Sequence, residues 1–410
     1  MVVTPDKRLI LWALGCVAAT LVIGCLGPTS IRSTRSKYNE AVLTTGNEEL
    51  LLNLVRLRYG EGVNFLPITS INAQFELEAG ALGRGGIDRG GESNYGEGHL
   101  GFADRPTLTF DSRRSPELTK ALLTRFDVET FDLLDAAGWD MDRLFRLLIE
   151  EINGVDNARG AGGPTPELAP DFAEYRYLAS LVHHLKQQRL LALGVQQVQT
   201  DVPSSVSFDA VDAQALVNIH KAGYGVRSLG EKKGFVLTET RPVRVVRAFP
   251  SAAGSPELAE VTRILHLVPG LPFYEIELSD GNQGRAADVP AQRTKLTVTM
   301  RSLLELMYYL SHAIQVPPEH IEKGLVTITI NPDGTPFDWE QLTGDLLRVC
   351  VAKHKPKQAA VAVKYRGYWY YIDDADISSK TTLALFRELT RLQKVGAAEG
   401  QPLLTLPVGR

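Results

Sequence analysis

The spacing of apolar positions changes several times along the chain, and each change predicts a different kind of element. Leu51, Leu54, Val55 and Leu57 recur at helical spacing behind Thr45-Gly46-Asn47, with Asn47 as the expected N-cap and Gly60 as the stop. Ile71, Ala73, Phe75 and Leu77 then alternate with Asn72, Gln74, Glu76 and Glu78, the period of a strand with one wet face. Thr107 to Phe110 alternates again beyond a glycine-rich span from Gly80 to Gly101, which predicts a β-hairpin with a long, flexible tip. Helical spacing returns after Ser115-Pro116-Glu117, from Asp140 to Ile152 with Asn153-Gly154 as the stop, and from Asp171 to Leu191.

After Gly194 the texture turns to short β-rich runs: Ser205 to Phe208, Gly225 to Ser228, Gly234 to Thr238, Val243 to Ala248, Ile264 to Val268 and Phe273 to Leu278. A small helix is expected near Ala213 to Lys221, and another from Met300 to Ile314 capped by Thr299. In the last block Ala359 to Tyr365 and Tyr368 to Ile372 read as two strands around Arg366-Gly367. The helix that follows, Ser379 to Leu392, carries an apolar stripe of Leu385, Phe386, Leu389 and Leu392. Together these patterns predict an α+β fold: a helix-rich N-terminal part with a Gly-rich β-hairpin, then a mostly antiparallel sheet domain closed by a C-terminal helix. The expected divisions are a helical domain over 46–201, a sheet domain over 202–395 and a disordered tail over 396–410, with the boundary near Asp201-Val202-Pro203.

An apolar run from Leu9 to Ile23 follows Lys7-Arg8 and ends in Val22-Ile23-Gly24-Cys25. A basic start, an apolar core and a small residue before the cut make an export signal, and the cysteine placed directly after that small residue makes it a lipobox. Residues 1–24 are therefore expected to be a lipoprotein signal peptide, with Cys25 as the site of lipid attachment and 25–45 as the acylated cysteine and its tether. An uncleaved transmembrane anchor is the bland alternative, since the run only just reaches spanning length. Leu26, where an aspartate would favour retention in the inner membrane, points to the outer membrane and its periplasmic face.

A net charge of -4 becomes -5 when Lys7, Arg8 and Asp6 leave with the signal, so no basic excess points to nucleic acid. Cys16 also leaves with the signal and Cys350 stands alone in a β-rich alternation, which excludes a disulfide framework or a cysteine metal site within one chain. His183 and His184 are adjacent on a helix and point about 100° apart, so they cannot share one ion. Asp373, Asp374 and Asp376 lack the turn glycine and distal glutamate of a calcium loop, and capping of the next helix accounts for them better. No G-x-S-x-G elbow, H-E-x-x-H or phosphate-binding glycine loop is present, so no catalytic residue, metal or cofactor is expected. The candidate binding residues are Tyr368, Trp369, Tyr370 and Tyr371. Alternation puts Trp369 and Tyr371 on one face of a strand and Tyr368 and Tyr370 on the other, one face for the C-terminal helix and one for a ligand or a second packed layer.

Tyr38-Asn39-Glu40-Ala41, Leu50 to Leu54 with Val55-Arg56-Leu57-Arg58-Tyr59, Pro106 to Phe110, Ile152-Asn153-Gly154, Met307 to Ser311 and Tyr365 to Trp369 with Ser379-Lys380 together resemble a family of uncharacterised bacterial lipoproteins. The resemblance implies a lipidated protein facing the envelope and brings no assigned activity. The expected role is a non-catalytic binding or scaffold lipoprotein, held to the membrane by its lipid anchor, with an envelope protein or glycan as partner and no nucleic acid. The alternative is an envelope hydrolase acting on glycan or peptide, with a Glu or Asp near Trp369. A subunit of an oligomeric pore or secretion assembly built from the hairpin is a lesser one, opposed by Arg84, Asp88, Arg89 and Glu92 crowding its middle.

Overall fold

The computed structural model describes residues 36–65, 68–72, 75–86, 93–104, 107–110, 116–206, 213–228, 235–281, 292–395 and 404–407. The expected signal peptide, Cys25 and the tether as far as residue 35 lie outside them.

The fold is α+β, as the patterns predict, with helices concentrated before the main antiparallel sheet and a long helix, Ile377–Val395, near the C-terminus. The central sheet has seven strands. Its path runs Val155–Asp156, Ile149–Ile152, Lys295–Met300, Phe273–Leu278, Phe235–Ala248 and Leu191–Val206, and Tyr224–Ser228 also pairs with Phe235–Ala248. Neighbours are antiparallel except Phe273–Leu278 and Lys295–Met300. Helices Val128–Ala136, Met141–Leu148, Ala173–Gln187 and Pro256–Ile264 supply Phe131, Leu144, Leu178 and Val261 to one contiguous core that extends from Leu50 to Leu389. The expected boundary at 201/202 falls inside the strand Leu191–Val206, and strands of both expected domains share the sheet.

Several elements differ from the expectation for identifiable reasons. The first helix covers 36–58, so it begins inside the expected tether; Asn47 lies within it and its amide oxygen accepts from Arg387 at 3.4 Å, a tertiary contact in place of an N-cap. Asp140 does cap the next helix, accepting from the Arg143 amide at 3.0 Å, but the helix stops at Leu148 and Ile149–Ile152 is a strand. Asn153 (φ 50°) and Gly154 (φ 91°) then form the tight hairpin turn for which Asn-Gly is suited, instead of a helix stop. Thr299 pairs with Glu151 in the sheet, and the following helix Leu303–Ser311 is capped two residues beyond Met300 by Ser302 in a capping box with Glu305. The expected strand from Ile264 is the end of helix Pro256–Ile264, whose Ser255-Pro256-Glu257 start repeats the Ser115-Pro116-Glu117 signature.

Arg301 welds the helix Met141–Leu148 to the sheet. It is fully buried, and its guanidinium donates to the carbonyls of Arg146 (2.8 Å), Leu147 (3.2 Å), Ile149 (2.9 Å) and Asn157. Carbonyls left open at a helix C-terminus are thus satisfied from another segment.

The glycine-rich stretch is itself strand: Phe75–Gly86 pairs with Ser93–Asp104 over twelve residues in each arm. At its base Ile68–Asn72 pairs with Thr107–Phe110, and Leu404–Pro407 adds beyond it as a third strand, although 396–410 was expected to be a disordered tail.

Candidate functional site

Three segments far apart in sequence converge on the aromatic strand. The first helix ends at Gly60 (φ 73°), with the Glu61 amide donating to the Arg56 carbonyl at 2.9 Å and the Gly60 amide to Leu57 at 3.0 Å. This reversal leaves Tyr59 inside and carries Glu61 out. Pro317 precedes the short helix Pro318–Glu322, which brings Glu319 and His320. The strands Ala359–Tyr365 and Tyr368–Asp373 meet in a two-residue turn at Arg366 (φ 45°) and Gly367 (φ 88°), so Tyr365 pairs with Tyr368.

At the centre, the Tyr59 hydroxyl lies 2.6 Å from His320 Nδ1 and 2.6 Å from the Tyr370 hydroxyl. Tyr370 is fully buried, Tyr59 and His320 nearly so. Burial lowers the pKa of His320, with Lys323 and Arg366 adding to the effect. The neutral ring can accept at Nδ1 from Tyr59, whose oxygen then accepts from Tyr370. Burial likewise raises the pKa of both tyrosines, so the chain of hydroxyls stays protonated near neutral pH. Its rings add edge contacts, Tyr59 to His320 at 5.6 Å and Tyr368 to His320 at 5.2 Å between centroids.

The rim is polar and charged. Tyr365 donates to Glu61; Arg366 also reaches Glu61 at 3.0 Å, donates to the Tyr365 oxygen at 2.9 Å and stands 5.3 Å from the centre of the Tyr59 ring. Across the strand pair, Glu319 accepts from Tyr368 and pairs with Lys353 at 3.3 Å. The Tyr365 hydrogen bond, then Arg366, holds the Glu61 carboxyl below the usual range, and Tyr368 with Lys353 does the same for Glu319.

The four sequence-predicted residues therefore divide. Tyr370 is interior and Tyr368 stands at the rim of the same cluster, whereas Trp369 and Tyr371 belong to the opposite strand face, Trp369 with Lys355 5.3 Å from its ring centre and Tyr371 beside Cys350 and Ala362. On the C-terminal helix Leu385, Phe386 and Leu389 are buried as expected, but Leu392 is 51% exposed and Leu383 is buried instead. Asp376 caps that helix, accepting from the Ser379 amide at 3.0 Å, and Lys380 pairs with Asp374 at 2.8 Å. His183 and His184 face separate carboxylates, Asp140 at 3.4 Å and Glu257 at 3.6 Å.

Glu61, Tyr59, His320 and Glu319 escaped sequence reasoning because nothing in their local pattern marks them. The available signals were Tyr-Gly at a helix stop and the Pro317-Pro318 pair that orients the short helix.

No protein family, no curated protein and no solved structure matches this chain. Among the described residues no helix is long and apolar enough to cross a membrane.

Proposed function

We propose that the chain is a lipid-anchored envelope protein with a non-catalytic binding or scaffold role, docking a protein or glycan partner through the rim formed by Tyr365, Arg366, Tyr368 and Glu61. The observation that carries the docking role is the geometry: Tyr365, Arg366 and Glu61 are hydrogen-bonded into a polar rim over the buried base of Tyr59, His320 and Tyr370. A glycan hydrolase needs one carboxyl kept protonated and another ionised, whereas Glu61 and Glu319 are both held ionised by a tyrosine and a cation. Tyrosine and arginine over a buried, rigid base are also the residues most enriched where binding energy concentrates. The lipobox at Cys25 and the resemblance to envelope lipoproteins support the anchor and the periplasmic face of the outer membrane. A photo-reactive amino acid at Tyr368, in cells, should give a discrete cross-linked product that the same residue at the 51% exposed Tyr177 does not. Equal or absent products at the two positions would argue against the docking face.

One observation favours a second reading, the oligomeric membrane pore. The register places Arg84 opposite Tyr95 within the arm, on the polar face of the ribbon, and Asp88, Arg89 and Glu92 lie outside the described residues. Phe75, Leu77 and Ala79 share one face of the ribbon with Leu100 and Phe102, and Glu76, Glu78 and Glu97 the other. Twelve residues, tilted by about 45°, suffice for the hydrocarbon core. Conductance steps in a planar bilayer support this reading; silence at saturating protein removes it.

A further inference from the structure

The first helix closes with a buried cation that nothing around it neutralises. Arg58 is its last residue and is 8% exposed. Among the described residues its hydrogen bonds both run from Nη1, to the Thr165 hydroxyl at 3.0 Å and the Thr327 carbonyl at 3.2 Å, and Nε is buried with no partner. Burial lowers its pKa and only Tyr59 opposes the shift; no carboxylate contributes. An arginine keeps its charge even so. The other buried arginines are compensated: Arg146 pairs with Asp142 and Asp345, and Arg301 has four carbonyls around it and the Tyr309 ring against it. A charge taken out of water costs free energy until a counter-charge meets it, and Arg58 has none.

The guanidinium lies against a cleft. Thr165 and Thr327, which hold it, line a cavity of about 190 Å³ together with Arg58 itself, and Leu57, Leu325 and Val326 give that cavity an apolar wall. Gly60, Pro164 and Gly324 stand exposed at its mouth. The helix-end carbonyls nearby are already satisfied, that of Arg56 by the amides of Tyr59 and Glu61 and that of Leu57 by Gly60, so they do not compensate the cation. Glu61, beyond Gly60, is taken by Tyr365 and Arg366. A cavity of about 150 Å³ takes up benzene, so this one has room for an acid of about five carbons and not for a long chain. A guanidinium matches the two oxygens of a carboxylate, and a single cation balances a monoanion better than a phosphate dianion. We propose that the cleft binds a carboxylate bearing a short apolar group, either free or at the end of a peptide chain, with its oxygens accepting from the Arg58 guanidinium and its apolar group against Leu325 and Val326. The site uses none of Tyr365, Arg366, Tyr368 and Glu61, so it is independent of the proposed docking rim and of whether Cys25 is acylated.

Calorimetric titration of the full chain in detergent with isovalerate tests this. One saturable site is expected, and the uncharged isovaleramide should bind about tenfold more weakly or worse, since it cannot neutralise Arg58. N-acetyl-glycyl-valine separates the two sources: binding as tight as isovalerate's or tighter assigns the cleft to a chain terminus, and weaker binding to a free acid. Arg58→Lys keeps the charge but loses the planar fork, and should weaken isovalerate about tenfold. Val326→Phe fills the cleft without touching Arg58, Thr165 or Thr327, and should abolish binding in protein that retains its near-ultraviolet circular dichroism. Absence of a saturable site, isovaleramide binding as tightly as isovalerate, inorganic phosphate competing as well as isovalerate itself, or isovalerate binding that survives Val326→Phe would overturn the proposal.

Discussion

A histidine stacked on a tryptophan shows how much of this protein's stability is set by single interior groups. His312 lies 3.9 Å from the Trp339 ring, nearly parallel to it, is 3% exposed, and its Nε2 lies 3.2 Å from the Ala161 carbonyl. Burial, with Arg58 nearby, lowers its pKa to about 3. Because the folded state disfavours the proton, the unfolded chain binds it first as pH falls below about 6.5. Stability is therefore full above that pH and is lost progressively down to about 3. At pH 5 the loss from this one group is about 2 kcal/mol. Urea unfolding at pH 7.5 and 5.0 should show wild type losing about that much more than His312→Phe, with the remaining slope shared by both because His320 is also depressed. Parallel losses in the two proteins would show that His312 is not the titrating group. None of this was legible in the sequence, where His312 is one histidine in an apolar helix end. The same holds for Arg301, whose four carbonyl acceptors come from segments about 150 residues away in sequence.

Elements were more legible than residues wherever one local signal stood unopposed. The small helix Ala213–Lys221 and the strands on either side of Arg366-Gly367 are where spacing and turn chemistry put them. Errors arose where one signal serves two structures: Asn-Gly both ends helices and turns hairpins, and Ile149 to Ile152 continues a helical stripe until the sheet claims it. The glycine-rich hairpin misled for another reason, since its register depends on pairing across the ribbon, which single-strand spacing does not encode. The C-terminal helix gives the clearest element-scale prediction. Ending the chain after Asp376 removes Leu383, Leu385, Phe386 and Leu389, all buried in the common core. Each such loss costs about 2 to 5 kcal/mol against a total stability of about 5 to 15 kcal/mol, so this chain should not fold. Among the described residues, ending it after Gly396 removes only the Leu404–Pro407 strand from the edge of Thr107–Phe110, and should leave a protease-resistant body. Resistance of the shorter chain to limited proteolysis would mean that the helix is peripheral.

At the scale of the whole molecule, one contiguous core joins the first helix, the central sheet and the aromatic strand, so the rim proposed for docking is carried on a rigid base. The proposed destination rests on sequence alone, because a lipobox is a local, linear signal that needs no fold to be seen, and Cys25 lies outside the described residues. What the sequence conveyed least was the site, because Tyr59, His320 and Tyr370 meet only after residues 261 and 311 positions apart are brought together. Anchoring makes a rim of this kind useful, since a protein held by two or more acyl chains stays at its membrane and meets its partners there. Everything proposed for this protein's place in the envelope thus depends on Cys25. The decisive measurement is incorporation of labelled palmitate into the full chain in cells, beside Cys25→Ser. Wild type should carry the label and lose residues 1–24, and the variant should accumulate as an unlabelled precursor; equal labelling of the two proteins, or wild type that retains its first 24 residues, would contradict the anchor.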